Sequence, residues 1–151
     1  MKTLLQKNIS HHEASLRFAS ELYQQYLAPE KTWTVFFEGG LGAGKTFLIR
    51  EILRCAGVEK EIPSPTYVFL TEYKREKQQF AHFDFYRLAD PQEFFVRGFD
   101  EVAQDDSFQK LVEWPEKISP QARQTFSGTH FTIKIDYGVG VGMRKIKVLQ
   151  G

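Results

Sequence analysis

Trp33-Thr34-Val35-Phe36-Phe37-Glu38-Gly39-Gly40-Leu41-Gly42-Ala43-Gly44-Lys45-Thr46-Phe47-Leu48-Ile49 is the stretch on which the reading of this chain turns. Residues 33–37 form a short β-prone run that reads as a buried strand. After the glycines, Phe47, Leu48, Ile49, Ile52, Leu53 and Ala56 recur at helical spacing and stop at Gly57, a common residue just beyond a helix end. A glycine-rich loop therefore joins a strand to a helix. Gly39, Gly44, Lys45 and Thr46 satisfy the pattern Gly-x-x-x-x-Gly-Lys-Ser/Thr in the strand–loop–helix setting that phosphate binding requires.

Glycines let successive backbone N–H groups turn toward one point, and the following helix adds its partial positive charge beneath them. Gly39, Gly40, Leu41, Gly42, Ala43, Gly44, Lys45 and Thr46 are accordingly the candidate nucleotide-binding segment. Lys45 is expected to reach the β- and γ-phosphates, and the Thr46 hydroxyl to be one ligand of an octahedral magnesium ion. Such a site also needs an acid at the end of a neighbouring strand. Asp84, after Phe80-Ala81-His82-Phe83, and Glu113, after Leu111-Val112, both qualify, and the residues alone do not separate their roles.

Thr66, held between Pro65 and Tyr67 in the proline-stiffened segment Pro63-Ser64-Pro65-Thr66, is a candidate contact to the γ-phosphate or to a magnesium-bound water. Alternation puts His82 on the same face as Asp84, but it has no cysteine or histidine partner at metal-ligand spacing and reads as structural. Trp114 is either a core aromatic or one that flanks the nucleotide.

Ahead of the loop, Ser10-His11-His12-Glu13 has the form of a capping box, and Ala14, Leu16, Phe18, Ala19, Leu22 and Tyr23 continue as a helix that ends at Ala28-Pro29-Glu30. Beyond it, residues 68–73 and 80–85 read as a hairpin about the polar segment 74–79, residues 91–99 as a helical patch, and 110–113 as a short strand. Residues 131–137 and 143–149 are strands joined by Gly138-Val139-Gly140-Val141-Gly142. The fold class that results is α/β, with helices flanking a sheet of mixed parallel and antiparallel strands.

The 151 residues suit one domain, with 42% apolar and 26% charged residues and a core expected to be rich in phenylalanine. A net charge of +1 demands no nucleic-acid or membrane partner, and Lys74-Arg75-Glu76-Lys77 reads as a solvated turn. No apolar run is long enough to cross a bilayer, and Met1-Lys2-Thr3-Leu4-Leu5 lacks the features of a signal peptide, so the expected location is the cytoplasm. The single cysteine, Cys55, falls in an apolar helical pattern and reads as a buried structural thiol.

With these segments placed, the chain resembles the bacterial TsaE (YjeE) family of small P-loop ATPases. The resemblance rests on four blocks: the loop 39–46, Ser64-Pro65-Thr66-Tyr67, His82-Phe83-Asp84-Phe85-Tyr86-Arg87-Leu88-Ala89-Asp90-Pro91 and Leu111-Val112-Glu113-Trp114-Pro115-Glu116. It implies a P-loop NTPase-like fold, ATP or ADP and Mg2+ as ligands, and ATP hydrolysis that is weak in isolation. It further implies a role in making threonylcarbamoyladenosine in tRNA, in a complex with TsaB and TsaD that meets tRNA only indirectly. By position it makes Lys45 and Thr46 the phosphate and magnesium residues, Glu113 a magnesium ligand and Asp84 a catalytic residue. Thr66 becomes part of a switch-like loop, and Trp114 the tryptophan beside the nucleotide. Gly40 departs from the family, which usually has an acid there. Rival readings are a small-molecule kinase, for which no arginine-rich lid is evident, and a nucleotide-dependent binding module; a guanine switch lacks its Asn/Thr-Lys-x-Asp motif.

Overall fold

The protein is seen here as a computed structural model that describes residues 1–10, 12–59, 68–138, 140 and 142–151. Thr66 and the rest of Ser64-Pro65-Thr66-Tyr67 lie outside the described residues, as do His11, Val139 and Val141.

A seven-stranded sheet runs in the order β1-β7-β6-β2-β5-β4-β3. Its centre is parallel: β2 (Trp33–Glu38) lies between β5 (Phe108–Glu113) and β6 (Thr129–Tyr137), and β4 (Gln78–Asp84) lies beside β5. Antiparallel strands complete both sides, with β3 (Leu70–Arg75) beyond β4, and β7 (Arg144–Gln150) then β1 (Lys2–Ile9) beyond β6. The mixed α/β sheet expected from the sequence is the one observed.

Strand parity divides the core. Along β2, Trp33, Val35 and Phe37 join the cluster covered by α1 (His12–Leu22) and α2 (Lys45–Cys55), while Phe36 joins a second cluster on the opposite face. A strand buried on both faces has no polar side to show, which explains its near-continuous apolar run. The second cluster gathers Phe83, Phe85, Phe94, Phe108 and Phe126 under α3 (Glu93–Val96), α4 (Phe99–Gln104) and α5 (Pro120–Thr125). Edge-to-face contacts such as Phe36 on Phe126, with ring centroids 5.4 Å apart, use the phenylalanine content foreseen.

Several boundaries differ from expectation. β1 was not foreseen; residues 91–99 split into α3 and α4 at Gly98, whose φ of 76° is open to glycine but strained for other residues. The hairpin turn narrows to Glu76 and Lys77, because Arg75 already pairs with Gln78. Cys55 is half-buried rather than buried, with burial the main cause that pushes its thiol above the ordinary value. Lys110 is fully buried and donates to the carbonyls of Asp105 and Phe108 and to Ser127 Oγ, at 3.0, 2.9 and 2.7 Å.

Candidate functional site

The parity that builds the core also aims the acids. On β4, Phe80 faces the cluster under α2, so His82 and Asp84 share that face; on β5, Leu111 faces it, so Glu113 does too. Asp84 and Glu113 are register partners at the carboxyl ends of adjacent parallel strands, and Phe37, one residue before the end of β2, is paired with Glu113 on the other side. Sites in open α/β sheets form at this edge. α2 starts immediately above it, and Thr46 in its first turn donates through Oγ1 to Glu113 Oε1 at 3.0 Å.

The loop between β2 and α2 has the shape that its glycines permit. Gly42 and Gly44 have φ of 72° and 102°, in the left-handed region. At Gly39 the constraint is space: an added Cβ would lie 2.8 Å from the Ile135 carbonyl oxygen, so the loop lies against β6 only because that residue has no side chain. Gly40 is under neither constraint, and a Cβ there would meet nothing within 4 Å among the described residues. Among the described residues no side chain caps the N-terminus of α2, which leaves its backbone donors and dipole available to an anion.

Lys45 is 5% exposed. Its ammonium donates to the Gly39 carbonyl and lies 3.5 Å from the ring centroid of Trp114. Burial lowers its pKa, while Glu113, Glu116 and Asp84 oppose that shift. Trp114 holds its place through a left-handed backbone, φ 57°, between the end of β5 and the short turn Pro115–Lys117, and its ring contacts Tyr86 at 4.9 Å. Such a conformation is uncommon for a bulky residue and concentrates at functional sites. Trp114 both packs against the second core cluster and lines the cleft.

Asp84 accepts from the Tyr86 backbone N–H at 3.0 Å, and its own N–H donates to the Phe69 carbonyl at 2.9 Å. Burial raises its pKa, against the Tyr86 hydrogen bond, with Glu113 adding to the rise. His82 is wholly buried, with Nε2 2.7 Å from Glu113 Oε2, so its structural expectation gains a specific partner. Asp84, Glu113, Lys45, Thr46 and Trp114 all line one cleft of about 420 Å³, together with loop residues 41–44. Gly39 and Gly40 lead into it.

Three features were not read from the sequence. The Tyr137 hydroxyl and the Arg144 guanidinium, paired across β6 and β7, hold the carbonyls of Leu41, Gly42 and Ala43. A second cavity of about 330 Å³ opens on another side of the loop, sharing Ala43, Gly44 and Phe47 with the first and walled by Ile9, His12 and Ile146. His82 binding Glu113 is the third. The strand-end positions of Tyr137 and Arg144 were the available signal, but only the register says which loop they reach.

The sequence profile described as "Threonylcarbamoyl adenosine biosynthesis protein TsaE" matches residues 9–145. The tRNA threonylcarbamoyladenosine biosynthesis protein TsaE of Haemophilus influenzae is 40% identical over 112 residues, covering 71% of this chain and 70% of that protein. Its counterpart in Rickettsia prowazekii is 39% identical over 100 residues, 66% and 67% of the two chains. The crystal structure of Bacillus subtilus YdiB superposes with a TM-score of 0.68 over 98% of this chain and 86% of that one; at 21% identity the likeness is one of fold. The chain belongs to the TsaE family of tRNA threonylcarbamoyladenosine biosynthesis.

Proposed function

We propose that this protein binds ATP and Mg2+ in the cleft at the head of β2, β4 and β5, hydrolyses ATP weakly alone, and acts with TsaB and TsaD in the cytoplasm to support threonylcarbamoyladenosine formation on tRNA. The observation that carries the reading is convergence. Lys45 and Thr46 at the start of α2, Asp84 at the end of β4 and Glu113 at the end of β5 come from three separate parts of the sequence and meet at one cavity.

The residues fit a magnesium ion by the chemistry of their donors. Thr46 supplies a hydroxyl and Glu113 a carboxylate, both hard oxygen ligands, already 3.0 Å apart. Among the described residues no group of three or more His, Cys, Asp or Glu could hold a metal. That suits an ion which takes one or two protein oxygens and completes its shell with phosphate and water. Bound there, magnesium would neutralise charge that develops on the phosphates.

The chain's own groups divide the remaining work. Loop N–H groups and the α2 dipole orient the phosphates, and Lys45 exchanges a neutral carbonyl acceptor for a charged phosphate oxygen. Asp84, with its raised pKa, is poised to orient the attacking water and take up its proton. The second cavity, reached past Gly44 and Phe47, accommodates the base, with His12 and Phe47 rings 5.0 Å apart at its wall. Leu41, Val68 and Tyr86 leave an exposed apolar rim around the cleft, which favours a partner protein that closes over it.

The test is calorimetric titration with ATP and ADP, with and without Mg2+, for wild type and Lys45→Ala, repeated with TsaB and TsaD present. Tight Lys45-dependent binding and acceptor-independent phosphate release that rises with the partners support the reading. No nucleotide binding under any of these conditions removes it.

A further inference from the structure

Glu113 is 2% exposed, and among the described residues each of its carboxylate oxygens has one side-chain partner. Oε1 accepts from Thr46 at 3.0 Å, and Oε2 lies 2.7 Å from His82 Nε2. The Thr46 contact is one that a cation would replace. The His82 contact lies on the far oxygen, and it runs diagonally across β4 and β5, where His82 pairs with Leu111 and Glu113 with Asp84.

Hydrogen-bond accounting fixes the ring's tautomer. A carboxylate only accepts, so the nitrogen facing Glu113 must carry the hydrogen. The other nitrogen, Nδ1, is buried and has no hydrogen-bond partner among the described residues. As a bare lone pair it leaves one acceptor unsatisfied; as an N–H it would leave a buried donor unsatisfied. The neutral Nε2–H tautomer therefore supplies the donor that Glu113 needs and leaves Nδ1 as an unsatisfied acceptor. An orphaned buried nitrogen is a cost that an apolar side chain of similar volume would avoid. Packing alone does not account for a histidine here, whereas a donor aimed at Glu113 does.

We propose that His82 is the positioning residue of the metal site: its Nε2–H pins Oε2 of Glu113 and so presents Oε1, together with the Thr46 hydroxyl, to a divalent cation. This rests on the magnesium–nucleotide reading above. A glutamate at a strand end has freely rotating side-chain bonds, and the bond to an immobile buried ring removes that freedom before a ligand arrives. Groups that orient a metal ligand in this way are worth about 10- to 100-fold in metal affinity.

The experiment is calorimetry of ADP binding in excess Mg2+ and in EDTA for wild type, His82→Leu and His82→Gln. The expected result is that His82→Leu leaves affinity in EDTA within about twofold of wild type and loses about 10-fold in Mg2+. His82→Gln, whose amide can donate to Oε2, keeps most of the magnesium increment. A His82→Leu protein that retains the full increment, or that loses affinity equally in EDTA, overturns the proposal. Nitrogen-15 spectra of the wild-type protein test it without any substitution: a protonated Nε2 and bare Nδ1 are expected, and the reverse tautomer overturns it. Wild-type protein that binds no nucleotide instead overturns the ATP reading itself, so the two failures are distinct.

Discussion

The Tyr137 hydroxyl donates to the Leu41 carbonyl across 2.7 Å. Arg144, its register partner on β7, lies with its guanidinium 4.4 Å from the Tyr137 ring and donates to the Gly42 and Ala43 carbonyls at 3.3 Å each. Three successive carbonyls are thereby drawn to one side of the loop, which helps to keep the opposite side for N–H groups before any anion binds. Removing one such bond costs about 0.5–1.5 kcal/mol, so Tyr137→Phe should weaken ADP binding by about 2- to 13-fold. Amide exchange at residues 41–43 should speed up in the nucleotide-free protein. Unchanged exchange would mean that the loop holds its shape without the hairpin.

Asp84→Asn should raise thermal stability while impairing turnover. Burial lifts the carboxyl above its ordinary pKa of 3.8, so the folded state holds the proton more tightly than the unfolded state. Stability from this group is present at low pH and is lost as pH rises from the unfolded value through the folded one. The amide lacks that loss, so the melting temperature of the variant relative to wild type should climb between pH 4 and neutrality. Parallel melting curves across that range would refute the assignment.

Lys110 gives a second pH signature, at the alkaline end. Burial lowers its pKa from 10.5 to about 8. Between those values the unfolded state binds more protons, so this group's contribution to stability rises with pH. The penalty is fully present below pH 8 and relieved above 10.5, a change on the order of 3 kcal/mol. Lys110→Met should therefore look best near pH 7, relative to wild type, and lose that margin toward pH 10.5 in urea unfolding curves. Groups common to both proteins cancel in the difference.

Glu76→Gly should stabilise the protein. Glu76 has φ 52° in the two-residue turn between β3 and β4, a conformation that costs an ordinary residue about 1 kcal/mol and glycine almost nothing. The turn lies at the opposite end of β4 from Asp84, Glu76 does not line the cleft, and its side chain is exposed, so nucleotide affinity should not change.

What the sequence disclosed follows from the range of the forces involved. The loop, its strand and its helix are local, encoded by glycines and apolar spacing within residues 33–57. Asp84 and Glu113 were legible because each ends an apolar run, although their lateral pairing needed the register. β1 escaped because Lys2-Thr3-Leu4-Leu5-Gln6-Lys7-Asn8-Ile9 has no clean alternation; it is an edge strand, interrupted between Thr3 and Leu5, that exists through pairing with β7. α5 carried a readable signal that went unused: Ser119 caps it by accepting from the Ala122 N–H at 3.1 Å, with Pro120 at its first position. The His82–Glu113 bond and the Tyr137–Arg144 hold on the loop join residues far apart in sequence, and no local pattern encodes them.

The chain contains two tryptophans, and the fold sends them to opposite fates. Trp33 is sealed in the core at 2% exposure, whereas Trp114 stands at the cleft under the Lys45 ammonium. Their emission should separate into two optical channels within one unlabelled molecule. Trp33 would register only the loss of the folded state, while Trp114 would register any ligand that draws Lys45 off its ring. Trp33→Phe and Trp114→Phe would each leave one channel dark.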